Sequence, residues 1–176
     1  MADPVLTALF EHKAWCNQRF VEALRAAPAT ADRRTMAIAL FTFDHTARVD
    51  RIFQARLGGQ VAAVDAIVAG ARPDLDELAA QMAATDAWYL EYVSNASAEA
   101  LAEVVEFTFL SDGDAGRMSK AQMLAHVIAH GASHRGAIGR MLDEAGVPGA
   151  PDMVTTAVSG RYAVPSAPPS SAPPSP

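Results

Sequence analysis

The sequence has one cysteine, no long apolar run and no cluster of basic residues, and each shortage excludes a class of protein. Cys16 alone cannot form an intramolecular disulfide or a zinc or iron–sulfur site built from several thiolates. No apolar stretch reaches the roughly 18 residues of a membrane span. The amino-terminal MADPVLTALFEHK has no basic start followed by an apolar stretch, so no signal peptide is expected. Charged residues make up only 19% of the 176 residues, and 14 Lys+Arg against 20 Asp+Glu give a formal net charge of −6. Such a chain is a poor match for nucleic acid, whose phosphates must be neutralised, or for an anionic membrane surface. Hydrophobic residues make up 51%, enough for one buried core. The expectation is a cytoplasmic globular domain.

The chain divides into a domain over residues 1–162 and a tail over 163–176. The stretch from Pro165 to Pro176 holds six of the eleven prolines, with Ser and Ala between them. It has few backbone donors and no large apolar groups, which predicts a disordered or polyproline-like tail.

Before the tail the pattern is helical. Asp3 followed by Pro4 is a helix start, and Leu9, His12, Cys16 and Phe20 recur on one face. A second helix spans about Asp32 to Leu57 and stops at Gly58-Gly59, with Ile38, Phe41, His45, Val49 and Ile52 as its expected inward stripe. A third begins at Pro73-Asp74 and runs through Leu78, Met82, Trp88 and Tyr92 to about Asn95. A fourth begins at Ser119, which has capping-box spacing to Gln122, and runs to Glu144 before Gly146 and Pro148. Between the last two, Val104, Val105, Phe107, Thr108 and Phe109 favour an extended arm or short strand, with a turn at Asp112-Gly113. Four long amphipathic segments predict an all-α four-helix bundle with a short extended arm before the last helix.

The five histidines carry the functional signal. His126, His130 and His134 fall in LAHVIAHGASHRGAI, within the fourth helix. His130 and His134, at i and i+4, lie one turn apart and can converge on one ion. His45, placed inward on another long helix, supplies a third imidazole. Met123, Val127, His134, Ile138 and Met141 form the expected stripe, with His130 within about 60° of its centre. His126 is about 12 Å along the axis from His134 at 1.5 Å per residue, too far to share an ion with it. The competing reading of such histidines is hydrogen-bonded core residues, and a haem axial site is a further alternative. Gly131 stands where an HExxH metalloprotease would carry its glutamate base, so that mechanism is not encoded locally.

The residues that match a known family are WCNQRF in the first helix, FTFDHTARVDRIFQARLGG in the second, and MLAHVIAHGASHRGAIGRMLDEAGVP in the fourth. Together they resemble the DinB/YfiT-like metalloenzymes, small four-helix-bundle proteins, over about residues 3–148. The last segment is similar to the family's HxxxHRGQ pattern, with Ala137 where Gln often stands. The resemblance implies a metal triad at His45, His130 and His134, a bound nickel, zinc or iron ion, and a homodimer. It also implies thiol-dependent transfer or isomerisation with a low-molecular-weight thiol and a small-molecule substrate; three neutral ligands leave an open position on the ion, where water in place of a thiol would make a hydrolase. A non-catalytic stress-responsive protein that binds metal or a small ligand is the alternative.

Other residues have two readings each. His12 lines a pocket or packs in the core. Cys16 is a reactive thiol or a small buried hydrophobe. Arg135 binds a substrate carboxylate or makes a structural ion pair. Asp44 is a candidate partner of His45, although it points about 100° away around the helix. Gly131 and Gly136, which cost about 1 kcal/mol each against Ala within a helix, suggest close helix packing.

Overall fold

Asp3 accepts hydrogen bonds from the backbone N–H groups of Val5 and Leu6, and Pro4 occupies the first turn, so α1 (Pro4–Arg25) begins where the sequence places it. The same logic fixes three further long helices. Asp32 caps α2 (Arg33–Leu57). Asp74 and Glu77 form a capping box on α4 (Leu75–Asn95). Ser119 and Gln122 form another on α6 (Lys120–Glu144). Gly59 and Gly146, both at φ 72°, let the chain leave α2 and α6 in a left-handed turn. The computed structural model describes residues 3–110, 112–148, 150 and 152–158. The tail expected over 163–176 lies outside them. No helix among the described residues is long and apolar enough to cross a membrane.

The structure is mostly helical. Helix α2 packs on α6, α6 on α1, α1 on α4 and α4 on α2, which closes a cycle of four. Short helices α3 (Ala63–Ala69), α5 (Ala98–Ala102) and α7 (Val154–Val158) decorate it. The expected arm is a two-stranded antiparallel hairpin, β1 (Val104–Thr108) with β2 (Ala115–Ser119), paired Val105 to Met118 and Phe107 to Gly116. Gly113, at φ 81°, makes the expected turn. Gly116 is required by contact rather than by φ, because a Cβ there would overlap the Phe107 ring. Arg56 holds the hairpin against α2, with its guanidinium 4.4 Å from the Phe107 ring centre and an N–H donated to the Thr108 carbonyl at 2.8 Å.

The core is two apolar halves separated by a polar layer. One half gathers Phe20, Leu24, Phe43, Leu78, Ile138 and Leu142. The other gathers Phe10, Phe53, Tyr89, Val93, Met123 and Val127. Between them each long helix contributes buried polar residues: Lys13 and Asn17 from α1, Thr46 and Asp50 from α2, Asp86 from α4 and Arg135 from α6. The Lys13 ammonium sits 2.7 Å from Asp50 Oδ2 and 2.5 Å from Asp86 Oδ1. Asn17 donates to Asp86 Oδ2 at 2.9 Å and accepts from Arg135 Nη1 at 3.3 Å. The Tyr89 hydroxyl donates to the Asp50 carbonyl at 2.7 Å.

Burial opposes the charge on Lys13, but the two carboxylates outweigh it and hold the ammonium above its ordinary value. Asp50 is strongly desolvated. Its Oδ1 has no hydrogen-bond partner among the described residues, and burial pushes its carboxyl up to about 6 against the pull of Lys13.

This layer revises the inward faces expected from hydrophobicity. On α1 the buried face is Phe10, Lys13, Asn17, Phe20 and Leu24 together with Cys16. On α2 it is Ala39, Phe43, Thr46, Ala47, Asp50 and Phe53. Ile38 and Phe41, expected inward, are 43% and 46% exposed, and Ile52 packs against Val64 and Ile67 of α3. Apolar residues occur on both sides of α2 because α3 covers part of its outer side, so apolar spacing alone assigns the wrong phase.

Removing Lys13 leaves two buried carboxylates without their cation. Lys13→Met should cost about 3–5 kcal/mol in urea unfolding at neutral pH, and the added Asp50→Asn change should restore part of it. A loss under about 1 kcal/mol, the typical worth of an exposed ion pair, would contradict this arrangement.

Candidate metal centre

Helix α6 places His130 and His134 one turn apart, with ring centres separated by 4.4 Å. Helix α2, packed along α6, brings the His45 ring to 5.2 Å from His130 and 5.0 Å from His134. His130 Nε2 and His45 Nε2 are 3.3 Å apart. One donor atom from each of the three rings lies within 4.8 Å of the others. Imidazole nitrogens bound tetrahedrally to one ion at about 2.0–2.1 Å would be about 3.3 Å apart. The three residues singled out by spacing are thus gathered at a separation close to that of a shared ion.

The triad lies on a seam and not in the core. His45 is exposed, and His130 and His134 are half-buried. The expectation that His45 and both α6 histidines face inward is therefore corrected. The buried face of α6 runs Met123, Val127, Gly131, Arg135, Ile138 and Leu142. Arg135 takes the inward position that an apolar reading gives to His134. Gly131 makes room for it, since a Cβ there would come 3.0 Å from Arg135 Nη1 and only 4.0 Å from Thr46 Cγ2 on α2. Gly136 has no such role, because a Cβ there would meet nothing within 4 Å.

The electrostatics disfavour a proton charge on His130 and His45. Burial is the first cause, and the charges of His134, His45 and His126 add to it, so the His130 pKa falls to about 4. His45 is lowered by burial and by His134, against a small opposing pull from Asp44. Neutral imidazoles offer lone pairs to a cation without first losing protons. His130 Nδ1 is buried with no hydrogen-bond partner among the described residues, so no protein group there fixes which nitrogen carries the proton. Three imidazole nitrogen donors on a solvent-reachable seam fit a divalent transition ion.

Several neighbours resolve into structural roles. Asp44 gives both oxygens to Arg48 Nε, at 2.9 and 3.1 Å, and Arg48 in turn donates to the carbonyls of Ile67, Gly70 and Ala71. Asp44 therefore anchors the loop after α3 and does not orient His45. Arg135, 1% exposed, pairs with Asp152 at 2.9 Å, so its guanidinium serves an ion pair and not a substrate carboxylate. The His126 ring rests on Phe53, with centres 4.8 Å apart, and is not among the donors that converge. Burial first, and Asp152 next, push the Cys16 thiol well above its ordinary value, which removes it as a free nucleophile at neutral pH. The residues the sequence did not announce are Lys13, Asn17, Asp50 and Asp86. For Lys13 and Asn17 the signal was a polar pair at i, i+4 on the same face of α1 as Phe10 and Phe20; Asp50 and Asp86, on α2 and α4, carried no such signal.

The family model for the DinB family matches residues 1–159 of the chain. No curated protein and no solved structure matches it.

The neutral state of His130 gives a pH signature. Its folded value of about 4 lies below the 6.5 of an unperturbed histidine. The unfolded chain therefore binds the extra proton first as pH falls, and stability drops across that window. Because Asp50 titrates with the opposite sign, the difference between variants is the clean readout. Metal-free wild type should lose melting temperature relative to metal-free His130→Gln as pH is lowered from 6.5 toward 4. Parallel pH profiles for the two proteins would contradict a buried neutral ring.

Proposed function

We propose that this chain, which belongs to the DinB family, is a four-helix-bundle metalloenzyme in which His45, His130 and His134 hold one divalent transition metal ion. The observation that supports this most is the convergence of their donor atoms within 4.8 Å across the α2–α6 seam. When bound, such an ion lowers the pKa of a thiol or water ligand toward neutrality and so supplies a nucleophile.

The protein's own part is to bind and orient. Three neutral side chains leave at least one coordination position for a small molecule, and exposure of His45 leaves that position reachable. Transfer of a low-molecular-weight thiol to an electrophile is the favoured reaction, with hydrolysis second. A water nucleophile benefits from a carboxylate base, and Asp44, whose charge reaches His45, is committed to Arg48. A thiol needs no such base once its pKa is lowered. Phe41, one turn before His45 and 46% exposed, carries the Arg72 guanidinium 4.1 Å over its ring. This cationic, apolar rim suits a small acidic thiol. Nickel, zinc and iron remain the candidate ions, a homodimer the assembly and the cytoplasm the compartment.

Turnover of small electrophiles should require both a divalent ion and an added thiol, stop on chelation and return when the ion is restored. His134→Ala should lower kcat/KM by at least about a hundredfold, because the several kcal/mol supplied by the ion are lost. Arg72→Ala should raise KM for an acidic thiol while kcat holds. Stoichiometric metal with no turnover across thiols and electrophiles would favour the non-catalytic binding protein. Turnover indifferent to chelation would contradict the metal mechanism.

A further inference from the structure

A second group of donor side chains lies on the α1 side of α6. Helix α1 repeats with His12 and Cys16 the i, i+4 arrangement that α6 uses with His130 and His134, and the segment before α7 adds Asp152. Cys16 Sγ is 3.2 Å from His12 Nε2 and 3.0 Å from Asp152 Oδ1, and the last two are 3.6 Å apart. We infer that His12, Cys16 and Asp152 form a second cation site, selective for a thiophilic divalent ion such as zinc, cadmium or cobalt.

The distances are those of a small adjustment. Tetrahedral coordination with bonds of about 2.3 Å to sulfur and 2.0–2.2 Å to nitrogen and oxygen places the donor atoms about 3.4–3.6 Å apart. Sulfur would move outward by a few tenths of an ångström and the other pair would barely move. Asp152 is also held in the manner of a ligand. Arg135 Nε donates to its Oδ2 at 2.9 Å and Nη2 more distantly to Oδ1 at 3.4 Å, while Oδ1 is also the oxygen turned to Cys16 and His12. Arginine thus holds the carboxylate mainly through Oδ2 and orients Oδ1, which keeps a lone pair facing Cys16 and His12.

The exchange of a proton for an ion closes chemically. A sulfur and a carboxylate oxygen 3.0 Å apart need a positive charge between them, and in the metal-free protein the thiol proton fills that role. A divalent ion takes its place: the S–H bond breaks, the metal–sulfur bond forms, and one proton leaves to solvent. Thiolate and carboxylate then offset the ion's two charges, and the Arg135 guanidinium leaves one net positive charge beside a partly exposed site. Cys16 is fully buried, and the His12 and Asp152 side chains, 13% and 17% exposed, mark the side by which an ion enters. A sulfur donor biases the site toward softer ions than the all-imidazole triad prefers. Occupancy would tie the segment carrying Asp152 and α7 to α1, adding stability in proportion to ion concentration.

Cobalt(II) titration of the full-length, reduced protein tests this apart from the triad. The wild type should bind a second equivalent and develop a thiolate-to-cobalt charge-transfer band in the near ultraviolet, releasing a proton per ion at that site. His130→Ala/His134→Ala should keep the band and lose the other equivalent. Cys16→Ser should abolish the band, and Asp152→Asn should weaken that binding by at least about tenfold. Circular dichroism establishes that each variant is folded, and Asp152→Asn serves if Cys16→Ser is not. No band at saturating cobalt, or a band unaltered in Asp152→Asn, would overturn the site.

Discussion

A lysine ammonium with 1% of its surface exposed, clamped between two aspartates from different helices, sets the register of this molecule. Each long helix is apolar at both ends of its buried face and polar in the middle. Sliding any one of them by a turn, about 5.4 Å, would press charge against hydrocarbon and leave an ammonium or a carboxylate unpaired. Such burial costs several kcal/mol per ion, so one alignment is strongly preferred. The same alignment puts His45, five residues before Asp50, level with His130 and His134, which bracket Gly131. The candidate metal centre is therefore a consequence of the layer that levels the helices.

Placing the triad on a seam separates two demands. The interior polar layer is occupied by ion pairs that hold the fold together, and the donors at its edge are free to meet a ligand from solvent. Arg135 connects the two. Its guanidinium reaches Asn17 in the layer and Asp152 at the far edge, while the residue before it is His134. Both groups of donors, His45 with the α6 pair and His12 with Cys16 and Asp152, thus lie at the height where the core turns polar.

Helix limits were legible in the sequence because caps are local. Asp3-Pro4, Asp32, Asp74 and Ser119 with Gln122 each satisfy backbone N–H groups within a turn, and no distant partner decides the outcome. The i, i+4 histidine pair was legible for the same reason. Helix phase was not. Burial of Lys13 and Asp50 depends on partners 73 and 37 residues away from Lys13 in sequence, which no single-helix pattern contains. Ile38 and Phe41 look like core residues until the ring of helices is closed without them. The hairpin was half visible: Val104 to Phe109 favour extension by their own shape, but AGRMS is a strand through its pairing with β1, where Gly116 leaves room for the Phe107 ring. His12 and Cys16 were read separately, since the aspartate that joins them comes from a short segment with no periodic signal.

The triad is tested most directly by metal content in a background that silences the second group of donors. Cys16→Ser protein, loaded with zinc and passed through a weak chelator, should retain one ion per chain by elemental analysis. The same protein carrying His45→Ala should retain almost none while keeping its helical circular dichroism. Equal metal in the two proteins, or none in either, would contradict an ion held jointly by α2 and α6.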